Sequence, residues 1–439
     1  MKSKTKGGLG LVLVLCLAMT LLAGCGSSGQ TASAPAANDS APAASGDVVT
    51  IRVMSSDDFA GFRTSVIKEF EDANPGIKID FQSVGYDALH QKEVTALAAG
   101  SDTYDIVDVD CIWTPEYVTN GYIVCVDDRL TDEMKTGIAP VAMDTLAYEG
   151  KIYGLPMFND LFFMFYNKDI LGKAGLDAPP ATWDEFTAAC NKMQEDGLID
   201  YGSAWGWAQA EGLICYYMTF LKGYGGSLVD DNHNPTVNTP ENVAALQYMV
   251  DSLYDSKISA PASVTSDDRM AIDLFSQGKT PFVINWSFAW SVFNDPEQSA
   301  VADKVGVMLV PGTNGIKSAT CAGSMGLSIT STCQHKDEAW KFIEFLASKE
   351  IQKRQAIEAG ALPIWEELYS DPELIEQHPA LKEMLEQVGY AYNRPSLVWY
   401  NEFSDALQVE VQNALTQSKT PQQALDDAQA KALEIQKKY

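Results

Sequence analysis

Apolar residues along this chain occur both in short strand-like segments and at helical spacing. The segments 48–54, 77–84 and 105–109 predict three strands, of which the first is expected to be buried. Apolar positions over 59–72 recur at helical spacing and predict a helix between the first two strands, and a second amphipathic helix ends at Ala99-Gly100. This βαβαβ order implies a mostly parallel sheet covered by helices, and therefore an α/β fold.

The remainder of the chain continues this mixed pattern. Thr182 and Thr239 each precede a helical pattern as N-caps, and Thr239 is followed by Pro at the first helical position. The segments 280–285 and 304–310 predict strands, and the chain from Lys336 onward is mainly helical. About 390 residues follow Asp47, which exceeds one ordinary core, so we expect two domains.

The first 24 residues have the order of a secretory signal. Three lysines precede an apolar run over 9–22 that is too short to span a bilayer, and Leu22-Ala23-Gly24-Cys25 follows. This end resembles a lipoprotein lipobox, so we expect cleavage before Cys25 and lipidation of its thiol. The alternative is an ordinary signal peptide with an incidental cysteine. Residues 26–47 contain only small or polar residues and predict a flexible tether between anchor and domain.

Charge and cysteine usage restrict the possible partners. The net charge of −28 becomes about −31 once the signal and its three lysines are removed. This charge argues against nucleic acid and against direct binding to an anionic membrane surface. Six cysteines remain after Cys16 and Cys25: Cys111, Cys125, Cys190, Cys215, Cys321 and Cys333. Because no CxxC spacing occurs, we expect these thiols to be free and mostly buried. A disulfide between Cys321 and Cys333 across a hairpin is the alternative.

No motif indicates a cofactor or a metal. The sequence contains no dinucleotide-binding fingerprint, P-loop or nucleophile elbow, and its four histidines are scattered. The segment from Asp230 to Glu241 imitates a calcium loop, but Pro235 replaces the turn glycine and Glu241 fits better at a helix start. We therefore expect no cofactor, no metal and no catalytic residue.

Several blocks resemble the family 1 extracellular solute-binding proteins, the sugar-binding lipoproteins of ABC importers. They are IKEFEDANPGIKIDF, LAAGSDTYDIVDVD, GKIYGLPMFNDLFFMFYNKDIL, APPATWDEF, GKTPFVINWSFAW, VGVMLVPG and DEAWKFIEFLASKEIQKRQA. Their shared order covers nearly the whole chain from Ile51 onward. The resemblance implies a two-lobed periplasmic-binding-protein-like fold of type II, similar to maltose-binding protein, with the ligand cleft between the lobes. It places lobe one at 48–158 plus 291–332 and lobe two at 159–290 plus 333–439.

A sugar ligand needs polar side chains around its edge and flat aromatic rings against its faces. The resemblance and the positions of polar and aromatic residues after strands give a set of candidate ligand residues. They are Asp57, Asp58, Asp108, Asp110, Trp113, Asn159, Asp160, Trp205, Trp207, Trp286, Phe288, Gly323, Ser324, Arg394, Trp399 and Tyr400.

Each group of candidates has a structural alternative. Asp108 or Asp110 is also suited to capping the next helix, and Asn159 with Asp160 to capping backbone at a hinge. The aromatic residues are equally suited to the core. The family often has Gly-x-Trp where this chain has Trp286 and Phe288, and this departure weakens any inference about the sugar.

The resemblance implies a receptor that catalyses nothing. It binds a carbohydrate, with an oligosaccharide favoured, closes its lobes and delivers the ligand to a membrane permease. We expect a monomer held by its lipid on the extracytoplasmic face of the cell membrane. The alternatives are the same fold with a polyamine or another small solute, a surface glycoside hydrolase with two carboxylates across the cleft, and an adhesin or sensor without a permease.

Overall fold

The computed structural model describes residues 48–56, 61–313 and 315–439, apart from the side chain of Asp87. The predicted signal, the lipidated Cys25, the tether and the candidates Asp57 and Asp58 lie outside the described residues.

The described residues form twelve strands. They are β1 (Val49–Ser55), β2 (Ile77–Ser83), β3 (Ile106–Asp110), β4 (Ala147–Tyr148), β5 (Lys151–Ile152), β6 (Leu155–Pro156), β7 (Phe162–Asn167), β8 (Phe282–Trp286), β9 (Val305–Met308), β10 (Thr320–Cys321), β11 (Met325–Ile329) and β12 (Ala391–Tyr392).

Seventeen α-helices occur in the same described residues, and none of them is both long and apolar enough to cross a membrane. They are α1 (Phe62–Ala73), α2 (Tyr86–Ala98), α3 (Thr114–Thr119), α4 (Asp132–Gly137), α5 (Pro140–Met143), α6 (Lys168–Lys173), α7 (Trp183–Glu195), α8 (Glu211–Gly223), α9 (Pro240–Tyr254), α10 (Asp268–Ser276), α11 (Ala289–Asn294), α12 (Lys336–Ala347), α13 (Lys349–Ala359), α14 (Pro372–Gln377), α15 (Leu381–Val388), α16 (Tyr400–Leu415) and α17 (Pro421–Gln436).

The first sheet has the strand order β2-β1-β3-β11-β6. Strand β1 pairs in parallel with β2 and β3, whereas β11 runs antiparallel to both β3 and β6. Helix α1 buries Val66 and Phe70 at helical spacing, and α12 contacts β1, β6 and β11. The predicted βαβαβ order is confirmed, and Asp110 ends the third parallel strand.

The second sheet has the order β8-β7-β9, with β7 antiparallel to both neighbours. The tyrosine hydroxyl of Tyr216 on α8 donates to the Ile284 carbonyl on β8 at 2.8 Å, which fixes α8 to this sheet. The predicted caps are also confirmed, because Thr182 Oγ1 accepts from the Glu185 amide at 3.2 Å and Thr239 Oγ1 from the Asn242 amide at 3.4 Å.

Strand pairing does not follow the expected division of segment 291–332. Strand β9 pairs with β7 in the second sheet, whereas β11 pairs with β3 and β6 in the first. Helix α12 contacts β1, β6 and β11, and α13 contacts α1 beside that sheet, although the expected boundary placed both helices in lobe two. The difference arises because the chain crosses between the sheets near Gly323, some thirty residues later than Ser291, and crosses back after α13.

Candidate functional site

Three stretches of chain pass between the two sheets and meet around Asn159 and Asp160. The Gly323 amide donates to the Asp160 carbonyl at 2.9 Å, and the Asn159 amide donates to the Leu362 carbonyl at 3.0 Å. Asn159 is fully buried, and its Nδ2 donates to the Tyr369 hydroxyl at 3.0 Å. The side chain of Asn159 therefore holds the crossing segments together.

The carboxylate of Asp160 lies at the same crossing but is partly exposed. Its Oδ1 accepts from the amides of Ser287 at 2.9 Å and Leu161 at 3.1 Å, and its own amide donates to Ser324 Oγ at 3.1 Å. Burial raises the pKa of Asp160 to about 6, although the hydrogen bonds from Ser287 oppose that shift. Asp160 therefore joins the crossing strands to the turn that follows β8.

Trp286 is partly exposed, lies next to Asp160 and forms a hydrogen bond to a second carboxylate, that of Asp268. Its indole Nε1 donates to Asp268 Oδ2 at 2.9 Å, and its ring lies 4.0 Å from the Phe162 ring, centroid to centroid. Burial raises the pKa of Asp268 to about 6, against the hydrogen bond from Trp286. The charge of Asp268 also raises the pKa of Asp160.

Phe288 follows Trp286 on the same turn and is also partly exposed. The guanidinium carbon of Arg269 lies 5.9 Å from the centroid of the Phe288 ring. Two aromatic side chains, two acidic side chains and one exposed arginine therefore share this region.

A buried network centres on Arg394, whose side chain is 2% exposed. Its Nη2 donates to Asp110 Oδ1 at 2.7 Å and Oδ2 at 3.0 Å, and its Nη1 donates to Glu211 Oε1 at 2.9 Å. The hydroxyls of Tyr86 and Tyr400 donate to Asp110 and Glu211, each at 2.8 Å. Burial alone would lower the pKa of Arg394, but the neighbouring carboxylates outweigh it and raise that pKa. Both oxygens of the Asp110 carboxylate therefore accept hydrogen bonds from protein groups.

Trp113 follows Asp110 and is 3% exposed. It stacks on Tyr86 with a centroid distance of 5.4 Å and lies 5.0 Å from the His90 ring. Trp399 is 7% exposed and makes an edge contact of 5.4 Å with Phe403. Protein rings therefore contact the two tryptophans that the sequence suggested as stacking platforms.

Trp205 and Trp207 lie in the core of the second-sheet half, which disagrees with their assignment as ligand residues. Their rings stack at 5.6 Å with 11° between planes, and both contact Phe220. Trp205 Nε1 donates to Ser259 Oγ at 2.7 Å. The Gly-rich flanks suggested a loop at the cleft, but large apolar rings gain more from burial in this aromatic cluster.

Asp108 also has a structural environment. It is fully buried and accepts from Ser55 Oγ at 2.8 Å and Ser56 Oγ at 2.9 Å. Its Oδ2 also lies 3.6 Å from Arg63 Nη1. These contacts tie the end of β1 to β3, and Asp108 does not cap the helix that follows.

Four residues of this region were missed by sequence reasoning: Tyr86, Glu211, Asp268 and Tyr369. They belong to none of the recognised blocks. Glu211 and Asp268 stand in the first turns of α8 and α10, where an acidic residue is ordinary and carries no functional signal. Only the contact with Arg394 or Trp286 distinguishes them.

Other possible sites carry little chemistry. A groove of about 630 Å³ lies between the Pro179–Thr182 turn, β9 and the segment around Ile316, and it contains none of the candidate residues. Within the described part of the chain, no group of three or more His, Cys, Asp or Glu side chains is arranged to hold a metal ion. The six cysteines there are free, and all but Cys125 are buried.

Comparison with known proteins places this arrangement in a family. The sequence profile of the bacterial extracellular solute-binding proteins matches residues 55–353. The chain belongs to this family. Its relatives are solute-binding proteins and not enzymes, as expected from the sequence. The "Probable ABC transporter-binding protein" of Deinococcus radiodurans is 29% identical over 352 residues, covering 77% of this chain and 80% of the relative.

Solved structures of this family share the fold. The maltose-bound MalE3 of T. maritima is 30% identical, with a TM-score of 0.81 over 89% of this chain and 100% of that one. A solute-binding protein of Agrobacterium radiobacter K84 in complex with ribitol is 26% identical, with a TM-score of 0.79 over 89% and 99% of the two chains. The two-lobed fold expected from the sequence is confirmed, and the chain is the substrate-binding protein of an ABC transporter.

The names of relatives do not agree on one substrate class. The "Probable amino-acid ABC transporter periplasmic-binding protein" of Sinorhizobium fredii is 26% identical over 379 residues, covering 84% of each chain.

Proposed function

We propose that this receptor binds a carbohydrate, with an oligosaccharide favoured, and delivers it to a membrane permease. The observation that carries the proposal is the partly exposed Trp286, whose indole donates to Asp268 and whose neighbour Ser287 donates to Asp160. An indole face suits the C–H surface of a sugar ring, and carboxylate oxygens accept hydrogen bonds from its hydroxyls. Maltose and ribitol, bound by two structural neighbours, are polyhydroxylated solutes of this kind.

The proposed ligand residues are those at the crossing of the sheets: Asp160, Trp286, Phe288, Gly323 and Ser324, joined by Asp268. Gly323 allows the ring of Trp286 to lie directly against the crossing strand. Because the residues come from the second-sheet half and from the crossing itself, bound ligand is well placed to bias the relative position of the halves. Ligand contacts made only in the closed form stabilise closure, and the permease recognises that form.

The proposal includes a revised division of the chain and a membrane anchor. We assign 48–158 and about 324–362 to lobe one, and 160–322 and about 365–439 to lobe two, because strand pairing supports that grouping. We retain the proposals that Cys25 carries a lipid, that this lipid holds a monomer at the extracytoplasmic face, and that 26–47 is the tether. Mass analysis of the mature N-terminus and of a Cys25→Ala variant tests the anchor.

Calorimetric titration tests the ligand class. The probes are maltose, maltotriose, mannitol, spermidine and glutamate, each followed by analysis of the solute for chemical change. We expect binding of at least one saccharide or polyol without turnover. Binding of spermidine alone would make the ligand a polyamine, and binding of glutamate alone would make it an amino acid. Hydrolysis of maltotriose would indicate a glycoside hydrolase.

Two variants of Trp286 sharpen the test. Trp286→Ala removes the ring and should weaken saccharide binding by about 1–2 kcal/mol, whereas Trp286→Phe keeps an aromatic face and loses the N–H bond to Asp268. We expect Trp286→Phe to retain most of the affinity. Equal, unweakened affinity in both variants would exclude stacking on Trp286.

A further inference from the structure

The segment Asn393–Asn401, which we call the junction segment, is anchored to the second-sheet half at both ends. Strand β12 just before it pairs with β10, where Thr320 Oγ1 donates to the Phe162 carbonyl on β7 at 2.7 Å. At its other end, Tyr400 and Asn401 begin α16, which contacts α8 and α9. The backbone that carries Arg394 should therefore move with the second-sheet half.

The side chains of the junction segment contact the other half. Arg394 reaches Asp110 at the end of β3, and Asn393 Nδ2 donates to the Val141 carbonyl on α5 at 3.0 Å. Asn401 Nδ2 donates to Glu116 Oε2 on α3 at 3.0 Å. Three contacts from one short segment thus join the halves.

Among these three contacts, that of Arg394 with Asp110 is an ion pair. Both of its carboxylate partners and the guanidinium itself are largely shielded from water, where ion pairs are strong and unpaired charges are costly. Glu211 lies on α8, in the same half as the backbone of Arg394, and Tyr400 and Ser404 of α16 also donate to it. Opening of the halves would therefore break the pair with Asp110 and keep the pair with Glu211.

We propose that Arg394 is an interlobe latch that stabilises the closed form through Asp110 and sets the affinity for every ligand without contacting it. A receptor whose closed form has a population f binds with an apparent dissociation constant equal to the intrinsic constant divided by f. Loss of the latch lowers f and weakens all ligands by the same factor. Arg394 is then a positioning residue. The inference rests on lobe closure and not on which solute is bound.

The test measures the distance between the halves in the full chain without added ligand. Bio-orthogonal spin labels at the exposed Lys92 of α2 and Lys431 of α17 report that distance and avoid the native thiols. The variants are Asp110→Asn, which keeps the shape of the side chain, and Arg394→Lys, which keeps the charge without the fork. Both should shift the distribution toward longer distances, and Asn401→Ala should shift it less.

A matched control removes an ion pair inside one half. Lys419→Ala breaks the pairs with Glu410 and Asp427 on α16 and α17, so the distance distribution should be unchanged. Arg394→Gln is avoided because it leaves two shielded carboxylates without their cation. If Asp110→Asn fails to fold, Arg394→Lys and Asn401→Ala carry the test, and unchanged distances in both would overturn the latch.

Affinity provides a second readout that a ligand-contacting arginine would not produce. With maltotriose and mannitol as probes, Asp110→Asn should weaken each by the same factor of about ten, within the usual range of coupling energies. Weakening of one probe alone would instead make Arg394 a ligand contact. If neither probe binds, the proposed sugar class fails, while the distances without ligand still decide whether the latch exists.

Discussion

Gly323 lies against the indole of Trp286: a Cβ atom added at Gly323 would stand 2.4 Å from Cζ3 of that ring. The ring also contacts Phe162, with the two ring centroids 4.0 Å apart, so it has little room to move. The close approach joins the segment that crosses between the sheets to the aromatic side chain proposed as the sugar platform.

Gly323→Ala should displace the Trp286 ring. We expect saccharide affinity to fall by at least tenfold, together with a loss of stability of about 1–3 kcal/mol from overpacking. Gly172→Ala is the matched control, because a Cβ there meets no atom within 4 Å. Calorimetric titration and urea denaturation check both variants. Undiminished affinity in Gly323→Ala would show that the ring position does not matter for binding.

The two carboxylates beside Trp286 make stability depend on pH. Burial raises the pKa of Asp160 and of Asp268 to about 6 from 3.8, so the fold favours their protonated forms. This contribution is complete below pH 4 and is lost as the pH rises through 6. Asp160→Asn and Asp268→Asn should therefore be more stable than the parent above pH 6. The expected gain is about 1–2 kcal/mol, which is smaller than the full pKa shift would give because both groups are partly exposed.

Urea denaturation between pH 4 and pH 8 checks this expectation. The difference in unfolding free energy between each variant and the parent should grow with pH and level off above pH 7. A difference that is independent of pH would mean that neither carboxylate is desolvated in the fold.

His378 should act with the opposite sign. It is 5% exposed, its ring lies 6.0 Å from that of Trp290, and burial lowers its pKa to about 4 from 6.5. The neutral form is favoured in the fold, so its stabilisation is present above pH 6.5 and is lost as the pH falls toward 4. The full loss is at most about 3 kcal/mol.

His378→Gln should flatten the acid limb of the stability curve, and the exposed His335→Gln serves as its control. Comparison of each variant with the parent at pH 7 and pH 4.5 separates this effect from that of the carboxylates. Parallel acid limbs in the parent and His378→Gln would contradict the assignment.

The sequence predicted the elements better than the site. Local sequence patterns predicted strands β1, β2 and β3 and the caps Thr182 and Thr239, and the family blocks predicted the two-lobed fold. Both kinds of signal depend on residues that are close together in the sequence. The site depends on pairs that are far apart in the chain. Arg394 and Asp110 are 284 positions apart, and the sequence around either residue does not predict its contact with the other.

Aromatic residues show the same limit. Trp205 and Trp286 both follow small or polar residues, and only packing shows that the first is enclosed by Phe186, Phe220 and Trp207 whereas the second remains partly exposed. Composition and charge patterns do not encode which face of a ring meets solvent. The expected lobe boundaries at 291 and 332 came from the family resemblance, whereas strand pairing, which joins residues far apart in the chain, divides that segment between two sheets.

Trp399→Ala separates a core role from a ligand role at a position where the two readings differ. Because Trp399 is 7% exposed and contacts Phe403, its removal should cost about 3–5 kcal/mol of stability. Trp286→Ala, at a partly exposed ring, should cost less stability and more affinity. Melting temperature and saccharide affinity are measured in both variants. If this assignment holds, Trp399→Ala lowers the melting temperature more, and Trp286→Ala lowers the saccharide affinity more. Retained stability with lost affinity in Trp399→Ala would return Trp399 to the ligand site and place the sugar next to the junction segment.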